Sequence, residues 1–357
     1  MEAYIMKSRS RILLTIGIPI LIILIVCGIY IAQQRGSDAN TTSQTASNKP
    51  LTTVKLALDW TPNTNHTGIY VALYKKWYAQ EGINLEILPY SSNVSPDVLV
   101  SSGKADVGVS STESIVADAA AGRPVVSIAA ILQHNTSSLA VLASSGINSP
   151  RDLDGKTYGA FGAPYETAVI SQIIKYAGGK GTFKSVLLNT DTIQALKDHT
   201  IDFAWIFDGA EGIQAQDEGV KLKTFPIIDY GIPDYYTPNL IASPKEIKSD
   251  PDLLKRFMAA TARGYEYART NPASSAQMLI AATPKGTFSD TKYVEDSQQY
   301  LSPRYADAGR QWGLQDASAW HGYPEFILDH DGVQNAQGKV VKSLDLNALY
   351  TNQFLPQ

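Results

Sequence analysis

The sequence predicts an α/β fold of two lobes with a cleft between them, and three observations predict it. Short apolar runs alternate with helical periodicities in the order that builds parallel βαβ units. Two sets of such units are joined by two extended crossings, near residues 140–145 and 238–243. The run Leu58-Asp59-Trp60-Thr61-Pro62-Asn63-Thr64-Asn65-His66-Thr67-Gly68 sets an indole, a carboxylate, amides and an imidazole between a strand and a helix. Open α/β sheets gather their functional groups at that end of the strands.

In chain order, Val54 to Leu58 reads as a strand, and Ile69 to Gln80 as a helix closed by Glu81-Gly82. Ile83 to Leu88 alternates as a strand does, and Pro96 opens a helix that closes at Gly103. Val107 to Val109 is a short buried strand that delivers Ser110-Ser111-Thr112-Glu113 to the next helix start. That helix runs to Gly122, and Val125 to Leu132 returns as a strand. The second unit begins after Leu139 to Ala143, with a helical turn at Ser149 to Leu153 and a strand at Thr157 to Phe161. The turn Gly162 to Thr167 leads into a helix with Val169, Ile170, Ile173 and Ile174 on one face. Val186 to Leu188, the helix Ile193 to His199 and the strand Phe203 to Phe207 follow. Leu240 to Ala242 leads back to the first unit, which helices around Leu253 to Arg269 and Ala273 to Ala281 complete. The expected organisation is an N-terminal segment over 1–35, a spacer over 36–53, lobe one from 54–142 plus 240–357, and lobe two from 143–239.

Composition excludes several classes of function. The first fifty residues hold Lys7, Arg9, Arg11, Arg35 and Lys49 against Glu2 and Asp38. Without them, the 30 basic and 34 acidic residues of the chain become 25 and 32, a net charge of −7. That sign argues against nucleic acid as a partner. The only cysteine, Cys27, lies in the N-terminal segment, so the globular part has no thiol nucleophile, disulfide or cysteine metal site. Ile12 to Ala32 is free of charge and follows Lys7, Arg9 and Arg11. Its 21 residues are long enough to cross a bilayer core of about 30 Å, with the basic end inside. The remainder is then exported and tethered outside the membrane. An uncleaved anchor, a cleaved signal and lipidation at Cys27 are the three possible fates of the segment. From Gly36 to Thr53 the Ser, Thr, Asn, Gln and Ala residues read as a spacer.

The candidate binding residues follow from the strand ends. Trp60 offers a flat stacking face, and Asp59, Asn63 and His66 lie in the same turn, where helix capping is the competing role. Ser110, Ser111 and Thr112 stand at a strand-to-helix junction, where hydroxyls either meet a polar substituent or cap the helix. Glu113 faces the same space or is a solvated charge at the helix start. Glu166 is placed to accept an exocyclic amine as a fork, or to complement the helix dipole, with Tyr165 as a second aromatic wall. Asp208 and Glu211 follow the strand through Trp205, and Tyr236 with Asn239 lies on the return crossing. His134, His199, His321 and His330 are scattered, so no metal site is expected. Neither is a catalytic triad, since Gly-x-Ser-x-Gly is absent.

Three motifs carry a resemblance: Asp59 to Gly68, Ser102-Gly103-Lys104-Ala105-Asp106-Val107-Gly108, and Tyr350-Thr351-Asn352-Gln353-Phe354-Leu355-Pro356. Over about residues 54 to 357 the chain resembles the family of thiamine-pyrimidine synthases and pyrimidine-binding transport receptors. The resemblance implies a type II periplasmic-binding-protein fold. It further implies one of two activities: solute binding for an ABC importer of thiamine-precursor pyrimidines, or synthesis of the thiamine pyrimidine from histidine and pyridoxal phosphate. The synthases have a cysteine-rich run for iron, a Schiff-base lysine and a donor histidine. Here the last two positions are Ser110 and Ser114, and the globular part has no cysteine. The resemblance therefore points to a monomeric, extracytoplasmic binding protein without catalytic residues or cofactor. It would hand formylaminopyrimidine or hydroxymethylpyrimidine to an ABC permease. A synthase, or a receptor for riboflavin, a sulfonate or nitrate, is the alternative.

Overall fold

The computed structural model describes residues 50–357 apart from Pro164. The N-terminal anchor, Cys27 and the spacer up to residue 49 lie outside the described residues. Ten strands form two sheets. They are β1 (Thr52–Ala57), β2 (Ile83–Ile87), β3 (Val107–Ser110), β4 (Val126–Ala130), β5 (Ser137–Leu142), β6 (Thr157–Ala160), β7 (Lys184–Leu187), β8 (Phe203–Phe207), β9 (Leu222–Pro226) and β10 (Asn239–Ala242). The helices that position the site are α1 (Thr67–Tyr74), α2 (Pro96–Ser101), α3 (Thr112–Ala120), α4 (Glu166–Tyr176), α5 (Pro251–Thr270), α6 (Thr291–Leu301) and α7 (Ala317–Asp329).

The first sheet has the order β2-β1-β3-β10-β4, and the second β7-β6-β8-β5-β9. In each, four of the five strands run in the same direction. One strand from the far side of a crossing enters antiparallel: β10 between β3 and β4, β5 between β8 and β9. Parallel strands buried on both faces need continuous apolar side chains, and β3 and β4 are buried along their whole length.

The first crossing is expected near residues 140–145, after the run Leu139 to Ala143. Ser137–Leu142 is instead an interior strand of the second sheet, paired with Phe207 at one end and with Leu222 at the other. The first crossing therefore ends by residue 136. An apolar run reveals that a strand is buried, not which sheet buries it.

The core of the first lobe is built on α5. Its apolar residues Leu253, Leu254, Phe257, Met258, Gly264, Tyr265 and Ala268 fall on one face at helical spacing. Asp250 accepts the Leu253 N–H at its start, and Pro251 occupies the first turn. Gly264 and Gly68 let α5 and α1 approach closely: a Cβ on Gly264 would sit 1.9 Å from the Gly68 carbonyl oxygen. The helix expected over Ile69 to Gln80 breaks at Lys76, which adopts a left-handed φ of 58° before a short helix Trp77–Gln80. At the chain's end, the Ser127 N–H donates to Leu349 and the Thr351 N–H donates back to Ser127, so residues 349–351 lie beside β4. Phe354 is buried in the core beyond it.

Candidate functional site

The loop between β1 and α1 is held from below. Asn63 Oδ1 accepts the Asn65 N–H at 2.9 Å, and the Asn63 N–H donates to His66 Nδ1 at 3.2 Å. Because Nδ1 accepts, the ring proton sits on Nε2, which donates to Asp59 Oδ1 at 2.7 Å. His66 is fully buried, and its ring ties the start of the loop to its end. Tyr265 and Tyr305 donate to the carbonyls of Asn65 and Thr64. What this scaffold presents outward is Trp60, 59% exposed, with Tyr90 of the neighbouring strand end at 5.1 Å between ring centroids.

The β3–α3 junction is a second polar cluster. The Ser110 hydroxyl donates to Asp97 Oδ1 of α2 at 2.5 Å. Burial pushes the Asp97 carboxyl up to about 6 against that hydrogen bond. Ser111 caps α3 by accepting the Ser114 N–H. The Thr112 hydroxyl donates to the Tyr236 carbonyl at 2.6 Å, which fastens α3 to the second crossing. Glu113 is buried, and its Oε1 accepts the Tyr235 hydroxyl at 2.6 Å. Burial raises its carboxyl above the usual range, partly countered by that bond.

In the second lobe the β6–α4 loop carries Phe161, Tyr165 and Glu166. The expected fork on Glu166 is turned into its own loop: it accepts the Tyr158 hydroxyl at 2.6 Å, the Phe161 N–H at 3.1 Å and the Ala163 N–H. With three donors already placed, its charge organises the turn. Phe161, Tyr165 and Trp205 form a mutual edge-to-face group with centroids 6.0 to 6.3 Å apart. Phe161 is exposed and Trp205 buried. The Tyr165 hydroxyl is pushed well above the phenol range by burial first and then by the charges of Glu113 and Glu166. Tyr165 of one lobe and Glu113 of the other thus share a field.

Asp208 Oδ2 accepts the Ser138 hydroxyl at 3.2 Å, and Glu211 Oε2 accepts the Phe207 N–H at 2.9 Å. Burial raises both carboxyls. Tyr236 is buried; its hydroxyl accepts the Asp316 N–H at 2.8 Å and donates to Oδ2 of the same residue at 3.3 Å. The twelve expected residues therefore cluster at the carboxyl ends of β1, β3, β6 and β8 and on the second crossing. The polar groups of Asn63, His66, Ser110, Ser111, Thr112, Glu166 and Tyr236 hold protein partners, while Trp60 and Tyr165 present aromatic faces.

Sequence reasoning missed Tyr90, Phe161 and Trp205. Tyr90 and Phe161 share a signal that was available: each is an aromatic just past the carboxyl end of a strand. Trp205 lies inside β8, where nothing local separates a wall from a core residue. Among the described residues no cluster of three His, Cys, Asp or Glu side chains is arranged to hold a metal. No helix among them is long and apolar enough to cross a membrane.

A family profile described as NMT1/THI5 like matches residues 63–275. A formylaminopyrimidine-binding protein of Halalkalibacterium halodurans is 25% identical, over 82% of this chain and 90% of that one. A 4-amino-5-hydroxymethyl-2-methylpyrimidine phosphate synthase of Legionella pneumophila is 28% identical, over 85% of this chain and 92% of that one. Among solved structures, a periplasmic sulfonate-binding protein of Methylobacillus flagellatus superposes with a TM-score of 0.60 at 19% identity, covering 86% of this chain and 93% of that one. The two sheets and their crossings are thus those of the type II periplasmic-binding-protein fold.

Proposed function

We propose, from the premise that the chain belongs to the NMT1/THI5-like family, that it is an extracytoplasmic receptor for a thiamine-precursor pyrimidine. In this reading the ligand, formylaminopyrimidine or hydroxymethylpyrimidine, is held in the cleft and passed unaltered to an ABC permease. The N-terminal segment tethers the receptor to the membrane. The observation that carries the reading is the pair of aromatic faces, Trp60 with Tyr90 on one sheet and Phe161, Tyr165 and Trp205 on the other. A planar ring between such faces gains apolar burial and a preferred stacking geometry. Lobe one is taken as 50–136 plus 239–357 and lobe two as 137–238, the division at which the strands change sheet.

The Legionella relative supports a competing reading, synthesis of the pyrimidine. That chemistry needs an amine to hold pyridoxal phosphate, and at the corresponding position Ser110 offers a hydroxyl already donated to Asp97. Titration of the purified protein with formylaminopyrimidine, followed by tryptophan fluorescence, tests the receptor reading. Saturable binding with the ligand recovered unchanged supports it. Co-purifying iron and pyridoxal phosphate, with turnover, overturns it in favour of the synthase.

A further inference from the structure

We propose that a basic and aromatic patch on lobe one rests on the anionic lipid surface of the membrane to which the chain is tethered. The proposal depends on the tether in the reading above, not on which ligand the cleft holds, and it adds how the anchored receptor is oriented.

The patch is made where the end of α1, the short helix Trp77–Gln80 and one face of α5 come together. The Lys75 ammonium stands over the Tyr267 ring at 4.2 Å and the Trp77 ring at 5.6 Å, and the Arg263 guanidinium stands over the Trp77 ring at 4.0 Å. Arg263 also donates to Gln80 Oε1 at 3.1 Å. Arg256, two turns earlier on the same face of α5, donates to the Glu81 carbonyl at 2.7 Å. Cations stacked on rings keep their charge and lose freedom, so they are fixed in place before any partner arrives. Beside them Tyr74 is 53% exposed. Lys76 is exposed too, on a left-handed φ of 58° that glycine would adopt at less cost. Among the acidic side chains of these segments, Glu266 is held by Arg269 at 2.7 Å and Asp250 caps α5. Glu81 and Asp252 then stand against Lys75, Lys76, Lys255, Arg256 and Arg263, on a globular part whose net charge is −7.

The chain enters the fold beside this patch. The Thr52 N–H donates to the Gly82 carbonyl at 2.9 Å, one residue from the carbonyl that Arg256 holds. Thr52 and Ile83 pair at the amino ends of β1 and β2, whereas Trp60 lies past the carboxyl end of β1. Contact at the entry point therefore leaves the aromatic faces of the cleft uncovered. The apolar span expected over Ile12 to Ala32 is joined to Pro50 by residues 33–49, a length that reaches at most roughly 60 Å when fully extended. An anionic headgroup layer attracts Lys and Arg that come within a Debye length of it, and Tyr favours that interface. The rest of the globular surface is acidic on balance and is repelled by the same layer, so the attraction selects one orientation.

The test is lysine footprinting of the full chain reconstituted into nanodiscs of phosphatidylcholine, alone or mixed with phosphatidylglycerol. Acetylation of Lys75 and Lys76, read by mass spectrometry, should be at least about threefold slower in the anionic discs, and about 0.5 M salt should abolish the difference. The exposed Lys221 of lobe two should label alike in both. Lys76→Glu should return Lys75 to its rate in phosphatidylcholine, whereas Lys221→Glu, the same change of charge on the other lobe, should not. A chain that enters the discs and labels equally in both overturns the proposal and leaves the patch to a protein partner. Protection of Lys75 that survives Lys76→Glu, or that Lys221→Glu removes equally, overturns the patch as its cause. Should Lys76→Glu fail to fold, the wild-type protein decides: protection of Lys221 equal to that of Lys75 and Lys76, or protection that salt leaves intact, overturns the proposal. A chain that does not enter the discs overturns the tether, and this proposal with it.

Discussion

Trp60 and Asp97 illustrate two opposite uses of a side chain. Trp60 is mostly exposed and makes one aromatic contact, with Tyr90, so Trp60→Ala should leave unfolding within about 0.5 kcal/mol of wild type. Loss of a stacking face should weaken pyrimidine binding at least tenfold in the same fluorescence titration, and normal binding would remove Trp60 from the site. Asp97 is buried and its carboxyl sits at about 6. Its folded value lies above its unfolded one, so between roughly pH 4 and 6 the folded state binds the extra proton and stability falls as pH rises. Asp97→Asn keeps an oxygen for Ser110 and removes the charge. At pH 7.5 it should be more stable than wild type by up to about 3 kcal/mol, with the gain gone below pH 4. Denaturant unfolding at the two pH values measures it, and an unchanged difference across the range would refute the assignment.

At the scale of elements, the strand-turn-helix units were legible because each is set by local signals: the capping Ser111, Pro96 and Pro251 in first helical turns, and apolar alternation at residues 54–58. The neighbours of β5 were not legible, since the run from Leu139 has the same composition whether it bridges two lobes or sits between β8 and β9. The same limit applied to the carboxylates. Glu113 and Glu166 both stand at helix starts after a strand, and sequence does not tell which has its oxygens taken by the Phe161 and Ala163 N–H groups. Gly264 is an element-scale constraint of a plainer kind. Its missing Cβ lets α5 rest on the backbone of α1 at Gly68, and an added methyl meets a carbonyl rather than a flexible side chain. Gly264→Ala should cost at least roughly 2 kcal/mol, read as a lower thermal midpoint. An unchanged midpoint would show that the helices can part without penalty.

Across the whole molecule, two further polar links join the lobes besides the Thr112–Tyr236 and Glu113–Tyr235 hydrogen bonds. On one side Thr64 shares a hydrogen bond with Ser297 of α6, which donates to the Gly209 carbonyl of the second lobe, and Lys292 bridges Asp217 and Asp296. On the other, His134 on the first crossing is paired with Asp234 on the second and with Asp307 of the first lobe. Partial burial disfavours charge on His134, but its hydrogen bonds to Asp234 and Asp307 outweigh that and raise it above 6.5. The clamp it makes is therefore complete below pH 6.5 and is lost as pH rises through the raised value. His134→Gln should flatten the pH dependence of the thermal midpoint across that window. A wild-type midpoint that does not fall there would argue against the clamp.

The placement of the last residues has a consequence for biogenesis. The flank of the first sheet is completed by Leu349 to Thr351 beside β4, and Phe354 fills the interior behind it. Translation must therefore run past residue 350 before the flank of the first sheet is closed, whereas the second sheet, built entirely from residues 137–226, needs none of these residues.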